Sequence, residues 1–220
     1  MTNSIPLVGV IIIGITALIS FKGFYDDAFF DAYSFQIERI KSGSLVRMFS
    51  SGFLHVNTSH LLFNMITLYF FVEIVVYALG TISFLGLYFG SMLTGNLFGY
   101  AFHYKNLNYT AVGASGAVTG VLFSALLLYP EIDLYLFFIP IPIPGYIFGI
   151  GYILYTLYGM KKQNDNIGHT AHFGGAVGGI IITLLLAPNV LASSVMMLIV
   201  LSVATLIGGG MIYAQQKKFN

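Results

Sequence analysis

The chain has 220 residues, of which 57% are hydrophobic and only 8% are charged, and its mean hydropathy is +0.87. Since soluble domains usually carry about 25% charged residues, this composition excludes a water-exposed globular surface and indicates a polytopic membrane protein. The formal net charge of +1 argues against nucleic acid as a partner, and the absence of cysteine excludes disulfides and thiol chemistry.

Apolar stretches long enough to cross about 30 Å of hydrocarbon recur along the chain, joined by mostly short connections. We therefore expect a single all-α membrane domain over residues 1–220. No basic residue precedes the first stretch and no small-x-small cleavage site follows it, so we interpret it as a retained helix. The predicted spans are Ile5–Phe21, His60–Leu79, Ile82–His103, Ser115–Tyr129, Leu134–Tyr158, His169–Ala187 and Val190–Ala214.

The first connection, residues 22–59, is much longer than the others. It alternates charged residues with many aromatic and aliphatic ones. Such an amphipathic segment is expected to lie in the headgroup region as short helices, and long ordered loops are often functional.

The start of the fifth span is interrupted by the run I-P-I-P-I-P-G, residues 139–145. Proline removes backbone donors and prevents regular helix, and unpaired backbone groups are costly in lipid. The run is therefore expected at an interface or against protein. Two interpretations remain open, a mobile gate and a simple helix entry.

The run G-A-S-G at the start of the fourth span contains Ser115. A serine at a helix start is commonly an N-cap. The flanking Gly113 and Gly116 instead allow close backbone approach, and Gly116 with Gly120 forms a small-xxx-small face.

The run A-H-F-G-G-A-V-G-G begins the sixth span and contains His172 one turn before Gly175 and Gly179. Glycines at this spacing let two helices approach closely in lipid. If this face meets the Gly116 and Gly120 face, Ser115 and His172 come within reach. That pair is the minimum for nucleophilic catalysis.

A third motif, H-x-x-x-N, places His60 and Asn64 on one face of the second span. Both can donate hydrogen bonds to a common point, which suits an oxyanion hole together with the Ser115 amide. The alternative is structural: His60 would lie at the helix end, and Asn64 would hydrogen-bond across the bundle.

The motifs H-x-x-x-N, an acidic residue on the same helix, G-x-S-G and A-H-x-x-G-x-x-x-G follow one another in this order. The joint pattern resembles the catalytic core of the rhomboid family of intramembrane serine proteases, over about residues 6–188. The resemblance implies a six-helix bundle with a Ser–His dyad and no acidic third member. Residues 190–214 would form an additional seventh transmembrane helix.

The resemblance makes Ser115 the nucleophile and His172 the general base, with His60, Asn64 and the Ser115 amide as oxyanion hole. The expected reaction is hydrolysis within transmembrane segments of membrane-protein substrates in the lipid bilayer, without cofactor or metal. The residues expected to support the structure are Gly113, Gly116, Gly120, Gly175, Gly179, Glu73 and Arg47.

One position departs from the family pattern. An aromatic residue commonly lies one turn after the serine, under the histidine ring, and here that position is Thr119. Either the Thr119 hydroxyl bonds His172, or Phe123 or Phe173 supports the ring. His55 and His103 are expected at the membrane interface.

Three alternatives to a serine protease belong to other functional classes. A catalytically weak or inactive rhomboid-like protein would bind membrane clients. A small transporter would suit the broken fifth span, although no inverted repeat is visible. A metal site at His169 and His172 lacks the H-E-x-x-H pattern and a carboxylate partner.

The basic residues conflict with the resemblance over orientation. All nine fall on the face that carries Ser115 and His172, which the positive-inside rule places in the cytoplasm. The resemblance instead makes this face extracytoplasmic, with the chain in the cell membrane and a cytoplasmic amino terminus. We follow the resemblance. The basic residues are Lys22, Arg39, Lys41, Arg47, Lys105, Lys161, Lys162, Lys217 and Lys218.

Overall fold

The computed structural model describes residues 5–136, 139–162 and 167–217. They form an all-α bundle with two short antiparallel strand pairs. The helices are α1 Leu7–Tyr25, α2 Asp27–Tyr33, α3 Ile37–Lys41, α4 Arg47–Ser50, α5 Thr58–Leu79, α6 Thr81–His103, α7 Ser115–Leu128, α8 Gly145–Lys162, α9 His169–Leu186, α10 Val190–Ser193 and α11 Val195–Lys217, and a 3-10 turn covers Ser51–Phe53. The strands are β1 Phe35–Gln36, β2 Thr110–Ala111, β3 Asp133–Leu136 and β4 Ile139–Pro144.

The long helices confirm the prediction of an all-α polytopic membrane protein. Within the described residues, α1, α5 and α9 are each long and apolar enough to cross a membrane, and α7 is a shorter apolar helix. Large apolar side chains are exposed on the outer faces of the bundle, for example Leu18 on α1 and Phe70 on α5. Lipid is the expected solvent on these faces, so the exposed apolar side chains do not indicate a protein-binding surface.

Local signals explain several helix boundaries. The Asn57 side chain accepts a hydrogen bond from the His60 amide at 2.8 Å, which caps the start of α5. Gly80, with φ of 80°, separates α5 from α6, and glycine adopts this left-handed conformation without strain.

The fifth predicted span, Leu134–Tyr158, was wrong at its start. Helix begins only at Gly145, and the preceding residues form an antiparallel hairpin of β3 and β4, of which 137–138 lie outside the described residues. Prolines at alternate positions of β4 leave the residues between them free to donate to the strand ladder, whereas a helix would lose every second donor.

The last predicted span, Val190–Ala214, is divided into α10 and α11. Ser194 lies between them, and its Oγ donates to the Leu127 carbonyl at 2.8 Å. The serine therefore ties the start of α11 to the end of α7.

The centre of the bundle is a backbone contact of α9 with α6 and α7. A Cβ at Gly175 or Gly179 would strike the carbonyl oxygen of Gly116 or Gly120 on α7. On the other side, a Cβ at Gly178 would strike the Thr94 side chain of α6. The double glycine run therefore lets α9 lie directly against both neighbours.

The remaining elements surround this centre. Helix α1 packs on α5, where Gly9 meets Val72, and α8 packs between α7 and α11, where Gly149 meets Met197. In the first connection, β1 pairs with β2, with Phe35 opposite Ala111, and this pairing holds the connection against the bundle end that carries Ser115.

Candidate functional site

Ser115 is the first residue of α7, and its hydroxyl does not cap the helix. The N-cap position is Ala114, which makes no side-chain capping bond. Ser115 is half-buried. As the first four amides of a helix have no partner within it, the Ser115 amide points out of the helix start beside the hydroxyl.

Gly113 brings His60 next to Ser115. Its φ of +133° is a conformation that favours glycine, and its amide donates to the Ser51 carbonyl at 2.9 Å. A Cβ at Gly113 would lie 2.7 Å from Cε1 of His60 and 3.7 Å from Oγ of Ser115. The His60 ring and the Ser115 hydroxyl therefore border the same small space, which a side chain at position 113 would fill.

His172 lies in the first turn of α9, where its amide donates to the Gly168 carbonyl at 3.1 Å. The preceding Ala171 carbonyl lies against Gly95 of α6 and Gly116 of α7. Since Gly116 directly follows Ser115, the turn that carries His172 packs on the turn that carries Ser115.

A side chain that the sequence analysis missed contacts the His172 ring. The Tyr152 ring on α8 stacks on it with 6.0 Å between centroids and 24° between planes. The Tyr152 hydroxyl lies 3.1 Å from Nδ1 of His172 and 3.0 Å from Oγ1 of Thr119. Thr119 thus reaches His172 through Tyr152, and an aromatic ring does support the histidine, from α8 instead of α7. The sequence offered no signal for this, because twenty residues separate Tyr152 from His172.

The H-x-x-x-N pair lies on the first turns of α5. The buried Asn64 donates from Nδ2 to the His60 carbonyl at 3.1 Å, one turn back on its own helix. Glu73 is nine residues further along α5, about 14 Å from Asn64 along the helix axis. Glu73 therefore lies outside the group formed by His60, Ser115 and His172.

His55 is fully buried within the protein. The Ser20 hydroxyl donates to the Phe53 carbonyl at 2.7 Å, so in its 2.8 Å contact with Nδ1 of His55 the serine accepts. Nε2 of His55 is then the acceptor for the Ala114 amide at 3.4 Å. A neutral His55 therefore links α1 to the residue before Ser115.

Burial lowers the pKa of His55 from its ordinary value of 6.5 to about 3, with a smaller contribution from His60, whose ring centroid lies 4.8 Å away. The protonated form would lose the acceptor that Ala114 uses. The lowered pKa and the hydrogen-bond pattern therefore both indicate that the His55 ring is neutral.

Arg47 is buried in the first connection and donates from one terminal nitrogen to the carbonyls of Asp31, at 2.6 Å, and Ser34, at 2.7 Å. Charged donors to backbone carbonyls are among the stronger hydrogen bonds. Arg47 thereby joins α4 to the end of α2 and orders the connection.

The other histidines are also enclosed. His103 is buried and stacks on Tyr109 at 3.6 Å, and the buried His169 ring packs on Gly159 of α8. Across the part of the chain that the structure describes, no group of three His, Cys, Asp or Glu side chains could hold a metal.

A cavity of about 580 Å³ opens at the same end of the bundle. It reaches His60 on one side and His169 at the start of α9 on the other. Its polar lining can hold water, and includes Asp31, Gln36, Asn106, Asn108, Tyr109 and Thr170.

The fold and this group of residues define a polytopic membrane protein with a serine and a histidine on two helices in backbone contact. The Rhomboid domain family model matches residues 42–189, which is more than half of the chain. The chain therefore belongs to the rhomboid family.

Curated relatives agree with this assignment. The chain is 29% identical over 186 residues to "RHOMBOID-like protein 12, mitochondrial" of Arabidopsis thaliana, covering 77% of this chain and 55% of the relative. It is 29% identical over 143 residues to "Rhomboid protein 1, mitochondrial" of Saccharomyces cerevisiae (63% and 41%). It is 32% identical over 152 residues to "Putative rhomboid protease YdcA" of Bacillus subtilis (66% and 69%). The chain thus spans only about half the length of the mitochondrial relatives.

The pKa of His55 predicts a pH-dependent stability. Its pKa is lower in the folded than in the unfolded chain, so its contribution is present above about pH 6.5 and is lost as the pH falls towards about 3. Unfolding in detergent, followed from about pH 7 to about pH 4, should show a steeper loss of stability in the wild type than in His55→Gln, whose side chain does not titrate. Equal slopes would contradict the neutral, buried state of His55.

Proposed function

We propose that the protein is an intramembrane serine endopeptidase that cleaves transmembrane segments through a dyad of Ser115 and His172. The observation that carries this proposal is the packing of the Ser115 turn of α7 on the His172 turn of α9 through Gly116. A serine hydroxyl left out of capping, on a turn packed against the turn of a hydrogen-bonded histidine, is an arrangement that suits nucleophilic catalysis. Family membership, and the protease name of the Bacillus subtilis relative, favour the same function.

In the proposed reaction, His172 accepts the Ser115 proton while Oγ attacks a peptide carbonyl of the substrate. The proton then passes to the leaving amine, and water hydrolyses the acyl-enzyme with His172 as base again. His172 must be neutral at the start, because only the neutral ring has a lone pair that can accept the Ser115 proton.

The proposed oxyanion hole consists of His60, Asn64 and the Ser115 amide. His60 borders the space in front of Ser115, and the amide lies at the positive end of α7. One donor of this kind is worth about 3–4 kcal/mol of transition-state stabilisation. Asn64 bonds the His60 carbonyl with one amide hydrogen, which leaves its second hydrogen for the substrate.

Substrate and water need separate routes. The polar cavity beside His60 and His169 is the proposed source of hydrolytic water. The substrate would enter past α8, whose Tyr152 lies against His172. The β3–β4 hairpin lies beside Leu126, at the opposite end of α7 from Ser115, so the proline-rich segment is better explained as the entry to α8 than as a gate over the site. The partners are then transmembrane proteins and the lipid bilayer.

Removing either member of the dyad should abolish cleavage. Ser115→Ala and His172→Ala should each reduce hydrolysis of a transmembrane reporter in liposomes to the detection limit, since such losses reach about 10⁶-fold in serine proteases. Ser124→Ala, on the same helix but outside the site, is the matched control and should retain activity. Unfolding curves establish that each variant is folded.

Substantial activity in either dyad variant would refute the mechanism. A folded wild type that binds transmembrane segments without cleaving them would instead indicate the rhomboid-like binding protein.

We also propose that the face bearing Ser115 is extracytoplasmic in a cell membrane. Several basic residues of this face are engaged within the protein, which weakens their effect on topology: Arg47 is buried, Lys22 pairs with Asp26, and Lys41 lies over the Tyr104 ring. The rule concerns short loops that flank the spans, whereas these residues belong to the long first connection or its borders. Lys218 lies outside the described residues. The relatives named as mitochondrial do not support the cell membrane as the compartment.

A reporter fused after residue 217 tests this orientation. With a cytoplasmic amino terminus and seven crossings, an alkaline phosphatase fusion expressed in bacteria should be active and a fluorescent protein that folds only in the cytoplasm should be dark. The opposite pattern would place Ser115 on the cytoplasmic face.

A further inference from the structure

The hydroxyl of Tyr152 joins three helices at the histidine. Tyr152 is on α8, its hydroxyl meets Nδ1 of His172 on α9, and it also meets Thr119 on α7. Phe123 and Phe148 contact the Tyr152 ring, with centroids at 5.8 Å and 6.0 Å, which limits the positions available to it. The ring therefore has few ways to lie other than against His172.

We propose that Tyr152 is a positioning residue that fixes the ring orientation and the tautomer of His172, with Thr119 acting through it. This inference rests on the proposed protease function. A histidine that deprotonates Ser115 with one ring nitrogen must carry its proton on the other. In a dyad without a carboxylate, a neutral acceptor has to hold that proton.

The hydrogen bonds among His172, Tyr152 and Thr119 can all run in one direction. Nδ1–H of His172 donates to the Tyr152 oxygen, and the Tyr152 O–H donates to Oγ1 of Thr119. In this tautomer, Nε2 carries the lone pair that would accept the Ser115 proton. The reverse tautomer would place the proton on Nε2, where it could not act as a base.

The location of Tyr152 on α8 has a mechanistic consequence. Helix α8 touches α9 where the His169 ring fills the space at Gly159, and it touches α7 where Leu126 meets Gly145 and Gly149. A displacement of α8 at these contacts would withdraw the Tyr152 hydroxyl from His172. The base is therefore correctly oriented only while α8 is seated, which couples substrate entry past α8 to activation of Ser115.

The test compares Tyr152→Phe with Tyr158→Phe, an exposed tyrosine on the same helix. Tyr152→Phe keeps the stacked ring and removes only the hydroxyl, so kcat for reporter cleavage should fall about ten-fold, the effect of one lost hydrogen bond, with KM unchanged. Tyr158→Phe should match the wild type. Thr119→Val should have a smaller effect, and adding it to Tyr152→Phe should lower kcat no further, because Thr119 acts through Tyr152.

A second readout does not depend on proteolysis. In detergent-solubilised full-length protein with ¹⁵N-labelled histidine, the His172 signals, assigned by their absence in His172→Ala, should show Nδ1 protonated in the wild type. The proton should redistribute towards Nε2 in Tyr152→Phe. Thermal unfolding checks that the variant is folded.

The two readouts separate this inference from the proposed function. Tyr152→Phe with wild-type kcat, or with an unchanged His172 tautomer, overturns the positioning role while leaving the dyad intact. If the wild type cleaves no reporter, the protease function fails, and the ¹⁵N spectra alone decide whether Tyr152 sets the tautomer.

Discussion

The direct backbone contact between α7 and α9 is the constraint on which the site depends. Apolar side chains are solvated by lipid about as well as by a protein interior, so the hydrophobic effect does not drive helix association in membranes. Helices there associate through close packing and hydrogen bonds. Gly116 and Gly120 on one helix lie against Gly175 and Gly179 on the other, so that backbone meets backbone at these positions. The turns carrying Ser115 and His172 are adjacent because Gly116 directly follows Ser115 and Gly175 lies three residues after His172, within one turn.

Polar contacts then hold the first turn of α7 from the other side. The Ser20–His55–Ala114 chain links α1 to the residue before Ser115, and the Gly113 amide reaches back to Ser51. In a low-dielectric interior such bonds are strong and unpaired groups are costly. The region around Ser115 is therefore fixed by both helix packing and hydrogen bonds, which is the preorganisation that a nucleophile needs.

The motifs predicted from sequence were those whose members lie within one or two helical turns. H-x-x-x-N, G-A-S-G and the double glycine run could be placed on helix faces from spacing alone. The family resemblance then indicated which helices should meet. Tyr152 and His55 could not be found in this way, because their partners lie 20 and 59 residues away and the roles depend on packing between helices. The β3–β4 hairpin was missed for a different reason: a continuous run of apolar residues is compatible both with a strand and with a spanning helix.

Labelling of the serine tests the central claim most directly, since it reports an activated hydroxyl without requiring a substrate. The rate of fluorophosphonate labelling should be measurable for the wild type and located at Ser115 by mass spectrometry. It should be lost in His172→Ala and reduced in Gly175→Ala, in which a methyl group separates α7 from α9. Gly86→Ala, with no atom within 4 Å of the added Cβ, should label like the wild type. An unlabelled wild type, or equal labelling without His172, would contradict the account.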